Sequence, residues 1–485
     1  GRRRPGALGP QKPHAEGMKS MKKRMSKALW ISLLAAPLYC QTQVAMAAGL
    51  MEAWQAATQN DKEYAVARAA HAAAQPRRDQ AAALWRPTVG VVGSVGVATN
   101  ESETRGAQFS APGFGQSSGV GFSTSVTNGT ASYWAIAATQ PLYNPKRRAE
   151  QQQLSTSADL ADLQWQAAGQ TLMLRTVERY LDLALAEEAV RVHRQQLDAV
   201  EKAAVEAQDR FKLGDAPITD THEAGARLAA LRAQVLAAES DVLVKRNLLA
   251  NTTGLSLGAL AARLPGRGAG QTSPLQPLDF WLNEAQSGNP EIRTQLLAAD
   301  VARQEATKYG RSSSATVDLV AQVGRDRLSG SGDFGSASNT GTNRMIGIQF
   351  SMPLFTGGYR SAKEEEALRL ADKAAAEVER TREQVAQQVR LAWLGLSVGA
   401  ERVRALEQAL SASLARLDAT RLGRAVGERT TLDLLNAENE SATSSLALAQ
   451  ARIGLLMDRL RLAALIGRLD EAALQVADGE LAASL

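Results

Sequence analysis

The feature that most constrains the fold is an internal duplication of the chain. Three blocks recur in the same order in both halves: 87–96 with 315–324, 141–143 with 353–355, and 214–220 with 427–433. A repeated series of this kind predicts two structural units of one plan. We expect the units at residues 48–258 and 278–467, with a Pro/Gly-rich linker at 259–277 and a tail at 468–485.

Each unit begins with a helical stretch of about 34 residues and continues with two strand-like segments around a Gly/Ser loop. Apolar residues alternate with small or polar ones in these segments, which predicts strands at about 88–97, 132–141, 316–325 and 344–354. The same alternation suits a soluble hairpin and a membrane barrel strand with lipid on one side and water on the other. The pattern alone does not choose between them.

Two long helices follow the strands in each unit. Proline is absent from 146–213 and from 355 to the end, and apolar residues recur at steps of three and four. This spacing is typical of coiled coils. It predicts helices at about 146–213, 218–253, 359–425 and 430–466. A helix of nearly 70 residues is about 100 Å long at ~1.5 Å per residue.

The N-terminal segment has the pattern of a secretory signal. A basic stretch from residue 19 is followed by apolar residues and a small-x-small site at Ala45 and Ala47, so 1–47 is expected to be upstream sequence and signal peptide. The remaining chain has 46 basic and 49 acidic residues, which gives no reason to expect a nucleic-acid partner. The single cysteine, Cys40, lies inside the signal, so disulfides and thiolate metal sites are not expected afterwards.

The number of strands needed to close a β-barrel determines how many chains we expect in the assembly. After the signal no apolar run reaches the ~18 residues of a spanning helix, which leaves a periplasmic protein, a secreted protein or a β-barrel. Four strands per chain are too few to close a pore and remove the unpaired edges. Three chains would supply twelve strands and twelve helical rods, so one trimer could close both a strand barrel and a helical tube.

The hairpin tips and strand ends resemble those of the TolC family. The motifs are the turns at Gly214 and Gly427, the segment Gln-Pro-Leu-Tyr at Pro141, and Met-Pro-Leu-Phe-Thr-Gly-Gly at Pro353, the last two at expected strand–helix junctions. The resemblance implies a mainly α fold with a small β part, trimeric, with a 12-stranded β-barrel in the lipid of the outer membrane. A 12-helix α-barrel would continue from it across the periplasm. The partners it implies are a periplasmic adaptor and an inner-membrane ABC transporter or proton-driven pump.

The resemblance also assigns a periplasmic gate. Asp433 matches an acidic ring at the entrance, although Asn436 stands where a second acid is found. Asp220 and Arg429 match an aspartate and an arginine that hold the gate closed, and Arg424 stands in place of a tyrosine. We expect Arg424 to pair with Asp220. The alternative is that Asp220 and Asp433 are helix N-terminal acids stabilised by the helix dipole.

Two further residue sets are expected at the tips. Gly214 and Gly427 should adopt positive φ to end the long helices. Asp215 and Glu428 follow them and, by the resemblance, belong to the surface that docks the adaptor.

Nothing in the sequence indicates an enzyme, a cofactor or a metal centre. His71, His193 and His222 lack the spacing of metal ligands. Within the duct interpretation, export of proteins by a type I system is favoured over small-molecule efflux. A narrower resemblance is to the outer-membrane component of an exporter for a toxin of the adenylate cyclase–haemolysin type. The alternative of another class is a periplasmic coiled-coil structural protein.

Overall fold

The computed structural model describes residues 49–113, 115–260, 262–266 and 275–482. The expected signal peptide lies outside the described residues. The first repeat contains five helices and one hairpin. Its elements are α1 (Leu50–Asn60), α2 (Lys62–His71), α3 (Ala74–Ala83), β1 (Thr88–Ala111), β2 (Gly115–Tyr143), α4 (Pro145–Leu213) and α5 (Ile218–Thr253).

The second repeat has the same order, with short 3-10 helices at Leu257–Ala259 before it and Arg311–Ser313 within it. Its elements are α6 (Leu278–Gly288), α7 (Pro290–Gly310), β3 (Thr316–Gly332), β4 (Gly335–Ser351), α8 (Tyr359–Ala425), α9 (Thr431–Leu465) and, in the tail, α10 (Glu471–Ala482). The prediction of a mainly α fold with a small β part is confirmed.

The helical stretch that opens each repeat is broken, where the sequence predicted one continuous segment. Asp61 ends α1 and caps α2, because its side chain accepts a hydrogen bond from the Tyr64 N–H at 2.7 Å. Asn289 does the same between α6 and α7, and Pro290 then occupies the first helical position. Short polar side chains that bond the backbone favour such caps over helix interiors.

The four strands form one antiparallel sheet in the order β1-β2-β3-β4. The predicted strand lengths were wrong, since β1 continues to Ala111 and β2 begins at Gly115. The Ser- and Thr-rich residues between the predicted strands have the pattern of a loop, because their side chains do not alternate in polarity. Backbone pairing does not require that alternation, and the ladder continues through register shifts.

The main core lies halfway along the long helices. Tyr180, near the middle of α4, is 1% exposed and accepts a hydrogen bond from the Arg263 N–H at 3.2 Å. Leu249 of α5, Leu460 of α9 and Leu474 of α10 are buried in the same cluster. The first part of the linker, around Arg263, and the C-terminal tail therefore pack around the centre of the helical rods, between the sheet and the tips.

Within the described part of the chain, none of the helices is long and apolar enough to cross a bilayer.

Candidate functional site

The turns of the two helical hairpins are built alike. Gly214 after α4 and Gly427 after α8 have φ of 81° and 84°, which confirms the predicted positive values. In the second turn the Gly427 N–H bonds to the Arg424 carbonyl, and the Glu428 N–H to the Gly423 carbonyl. This is the Schellman arrangement, which satisfies the free carbonyls at a helix end. Asp215 and Glu428, the residues after each glycine, are exposed.

Asp433 sits in the first turn of α9 and closes a capping box. Its Oδ2 accepts hydrogen bonds from the Thr430 N–H at 3.0 Å and the Thr430 hydroxyl at 2.9 Å. In return Thr430 Oγ1 accepts the Asp433 N–H at 3.1 Å. The bonds from Thr430 lower the pKa of Asp433 below its ordinary value, and the charge of Arg429 contributes less. The carboxylate therefore caps its helix and also stays ionised.

The other predicted gate residues have different surroundings. Asn436, on the next turn of α9, accepts a hydrogen bond from Arg227 Nη2 at 2.7 Å, which joins the second hairpin to α5 of the first. Asp220 is partly exposed in the first turn of α5, and its side chain has no ion pair among the described residues. The Arg429 side chain lies against Gly423, where an added Cβ would meet its Cγ at 2.8 Å.

The expected ion pair between Arg424 and Asp220 was wrong. Arg424 is only 8% exposed, and its Nη2 lies 2.8 Å from Oε2 of Glu206 on α4. The pair joins the two hairpins, because Glu206 belongs to the first and Arg424 to the second. The sequence repeat shows which residues are equivalent in the two tips. It does not show how the two hairpins pack side by side, and the Arg424–Glu206 pair depends on that packing. No motif indicated Glu206 or Arg227 beforehand.

An apolar contact supports these polar links. Leu435 of α9 is 2% exposed and packs into a cluster of first-hairpin residues that includes Val200, Ala203 and Leu231. The alanines of this cluster, Ala203, Ala207 and Ala224, let the helix backbones approach closely. The tip of one chain is thus a four-helix contact held by one small apolar cluster and a few polar links between hairpins.

The two predicted junction prolines differ in position. Pro141 lies inside β2 opposite Asp318, and a register shift follows it. Helix α4 begins four residues later at Pro145, with Asn144 as its cap. Pro353 lies between the end of β4 and the start of α8. The connection between strand and helix is therefore shorter at the first junction than at the second.

The described residues contain no cluster of three or more histidine, cysteine, aspartate or glutamate side chains that could hold a metal ion. His71 of α2 instead lies 2.8 Å from Asp162 of α4 and stacks on Trp165.

Comparison with known proteins decides the family. The family model described as outer membrane efflux protein matches residues 53–255 and 281–468, which are most of the two repeats. The chain belongs to the outer membrane efflux protein family. Members are channels rather than enzymes, and they span the outer membrane and the periplasm.

Individual members of the family are similar over much of their length. The alkaline protease secretion protein AprF of Pseudomonas aeruginosa is 28% identical over 339 residues, 70% of each chain. The outer membrane protein TolC of Escherichia coli is 26% identical over 352 residues, 71% of each. The crystal structure of the outer membrane protein VceC of Vibrio cholerae has a TM-score of 0.67 at 18% identity, covering 86% of this chain and 96% of that one.

Membership confirms several expectations from the sequence. The chain is a subunit of a homotrimeric outer-membrane duct that works with an adaptor and an inner-membrane transporter. This placement excludes a periplasmic coiled-coil structural protein. The family has members in both protease secretion and efflux.

Proposed function

We propose that this chain forms the exit duct of a type I secretion system and that its cargo is protein. The observation that carries the proposal is the similarity to a protease secretion protein, AprF, across 70% of both chains. The sheet geometry supports the duct. β1 and β4 are its free edges and run in opposite directions, so β4 of one subunit can pair antiparallel with β1 of the next. Three subunits then close a twelve-stranded barrel without unpaired edges.

We further propose that the hairpin tips form the gate. Asp433 of three subunits would face a common axis, and a ring of three carboxylates attracts cations and narrows the entrance. The second acid is replaced by Asn436, whose amide oxygen is occupied by Arg227. The ring is therefore less acidic than one with two aspartates per subunit. Arg429, next to the capping box, and Asp220 on the neighbouring helix set the remaining charge at the entrance.

The closed state is held by contacts between the two hairpins of one subunit. We propose Arg424 and Glu206 as the main polar link, with the Arg227–Asn436 bond and Leu435 beside it. These contacts must break or slide for the hairpins to separate. The exposed turns around Gly214, Asp215, Gly427 and Glu428 present the surface that an adaptor would meet.

The cargo is tested by replacing the host duct. In a Gram-negative strain that lacks its own duct, we express this protein together with an ABC exporter, its adaptor and a protease substrate. We expect the protease in the culture medium, and resistance to small toxic compounds restored to a smaller degree. Disulfide cross-linking of cysteines introduced at Asp215 and Glu428 to the adaptor would show that the tips dock it.

The alternative function is small-molecule efflux, which the description of the matching family favours. It predicts the opposite result in the same strain. Resistance would be restored with a proton-driven pump, and the protease would stay in the cells although the trimer reached the outer membrane.

A further inference from the structure

One face of the sheet carries an apolar band. Directly paired residues share a face, so the register defines rows across the four strands. One row consists of Val89, Ala138, Ala321 and Ile346, and the next of Val91, Ile136, Val323 and Arg344. Val89, Val91, Ile346 and Ile348 are about 70% exposed in the single chain. A face this apolar and this exposed is the side that lipid covers in an outer-membrane duct.

The band ends in three arginines on β3 and β4. Beyond the row of Arg344, polar and charged residues replace the apolar ones on β3 and β4. Arg325 pairs with Thr342 and Trp134, and Arg327 pairs with Thr340 and Ser132. Neighbours two apart on a strand are about 7 Å apart, and diagonal neighbours about 7–8 Å, which long side chains can span.

Within the part of the chain that the structure describes, these arginines have no protein partner. All three are exposed, and among the described residues none of them forms an ion pair or a side-chain hydrogen bond. The nearest acid in sequence, Asp326, belongs to the opposite face, where it accepts a hydrogen bond from Asn343 at 3.0 Å. Three adjacent guanidinium groups without a counter-charge leave a strongly positive patch beside an apolar surface.

The patch lies at the end of the sheet that is far from the helices. The strands meet the helical part at Val317 and Phe350, and Arg325 follows Val317 by eight residues, or about 26 Å along the strand. At the ~35–45° strand tilt of outer-membrane barrels this is a height of about 20 Å, near the far boundary of their ~25 Å apolar band, and a long arginine side chain reaches the headgroups from there. Since the helices are periplasmic, the patch lies at the headgroup level of the outer leaflet. Trp134, in the same row as Arg325, stands where such barrels carry aromatic girdles.

We propose that Arg325, Arg327 and Arg344 bind the phosphate groups of a lipid headgroup in the outer leaflet. A guanidinium group offers paired donors that match phosphate oxygens, and the hydroxyls of Thr340 and Thr342 supply further donors in the same rows. The acyl chains of that lipid lie along the apolar band below. The site rests on the outer-membrane placement and is independent of the cargo.

The duplication provides an internal comparison. The positions that correspond to the three arginines in the first repeat are Val97, Thr99 and Ser132. The charge therefore belongs to the second repeat alone. The trimer would carry three lipid sites, one on each β3–β4 hairpin.

The test uses the detergent-solubilised trimer and native mass spectrometry, which counts bound lipids. The probes are bisphosphorylated lipid A, its dephosphorylated form and inorganic phosphate. We expect lipid A to bind at three sites per trimer. The triple variant R325Q/R327Q/R344Q should bind it about a hundredfold more weakly, from the contribution of three basic residues at a lipid surface.

A matched control removes three exposed, unpaired arginines from α8 instead: R380Q/R390Q/R402Q. It should bind lipid A like the wild type, and heat-modifiable migration shows that both variants remain trimers. The proposal is overturned if the β-strand variant keeps its lipid A affinity or if dephosphorylated lipid A binds equally well. Displacement by inorganic phosphate at the same concentration would also overturn it, because the site would then recognise a free anion.

Discussion

Replacing Glu206 by glutamine removes the carboxylate that pairs with Arg424 and keeps the size of the side chain. The pair spans the two hairpins at 2.8 Å, with the Arg424 side chain 7% exposed and that of Glu206 52% exposed. If this pair holds the closed tip together, the variant opens more easily. The trimer should therefore conduct more ions than the wild type.

The exposure of each partner sets the expected size of the effect. Exposed ion pairs contribute about 0.2–1 kcal/mol, whereas breaking a fully buried pair costs about 3–5 kcal/mol. A pair with one buried and one half-exposed partner falls between, so about 1 kcal/mol per subunit is a conservative value. Three subunits opening together lose about 3 kcal/mol, which raises the ratio of open to closed trimers about a hundredfold.

The matched control is Glu201→Gln, on the same helix. Glu201 also lies 2.8 Å from an arginine, but that residue, Arg232, belongs to the same hairpin. Loss of this pair leaves the contact between hairpins intact, so the control should conduct like the wild type. Single-channel recording in planar bilayers measures the open fraction of all three proteins.

The assignment of the Arg424–Glu206 pair as the contact that holds the tip closed is refuted if Glu206→Gln and Glu201→Gln give the same open fraction. It is equally refuted if Asp220→Asn opens the channel and Glu206→Gln does not. The second result would mean that Arg424 changes its partner in the closed trimer. Retention of the trimer by both variants, checked by heat-modifiable migration, separates opening from loss of assembly.

Three further predictions concern the tip. Gly427→Ala should destabilise the folded tip by about 1–2 kcal/mol, because φ there is 84° and an added Cβ meets nothing within 4 Å, so backbone strain is the whole effect. Gly225→Ala, inside α5 and equally open, should instead stabilise the protein by about 1 kcal/mol. Hydrogen exchange at the tip distinguishes the two variants. Thr430 lowers the pKa of Asp433, so the stability that the Asp433 carboxylate contributes is complete above the ordinary aspartate pKa of 3.8 and is lost as the pH falls through the lowered pKa. Thr430→Val should move that loss to higher pH, measured as the pH at which cation selectivity declines. If that pH is unchanged in the variant, the capping role of Thr430 is contradicted. Asn436→Asp should raise cation selectivity only modestly, because Arg227, which already binds Asn436, would pair with the new carboxylate. A doubling of cation selectivity in reversal-potential measurements would show that Arg227 points elsewhere in the trimer.

The parts of the fold that depend on local pattern could be predicted from the sequence. Long stretches without proline predict helices because proline ends them, and glycine at a hairpin turn predicts positive φ because other residues are strained there. The duplication predicts that the strands and long helices of one half recur in the other. Strand length was underestimated, since the polar residues 99–127 pair through their backbones and carry no alternation to detect.

The candidate site was predictable only in part. Asp433 and the tip glycines lie at positions fixed by the turn itself. The partner of Arg424 lies more than 200 residues away on another hairpin, and its choice depends on which helix faces pack together. Likewise, the patch of Arg325, Arg327 and Arg344 becomes visible only when the strand register places the three side chains on one face.

Trapping a substrate in transit shows whether protein passes through the gate formed by the tips. A secretion substrate fused to a stably folded domain stalls in the duct, and a photo-cross-linking amino acid at position 433 reports what lies at the entrance. If protein takes this route, we expect a cross-link between the stalled polypeptide and position 433 that disappears when the inner-membrane transporter is inactive. A stalled substrate that never cross-links to position 433, while the same label captures a small efflux compound, would contradict it.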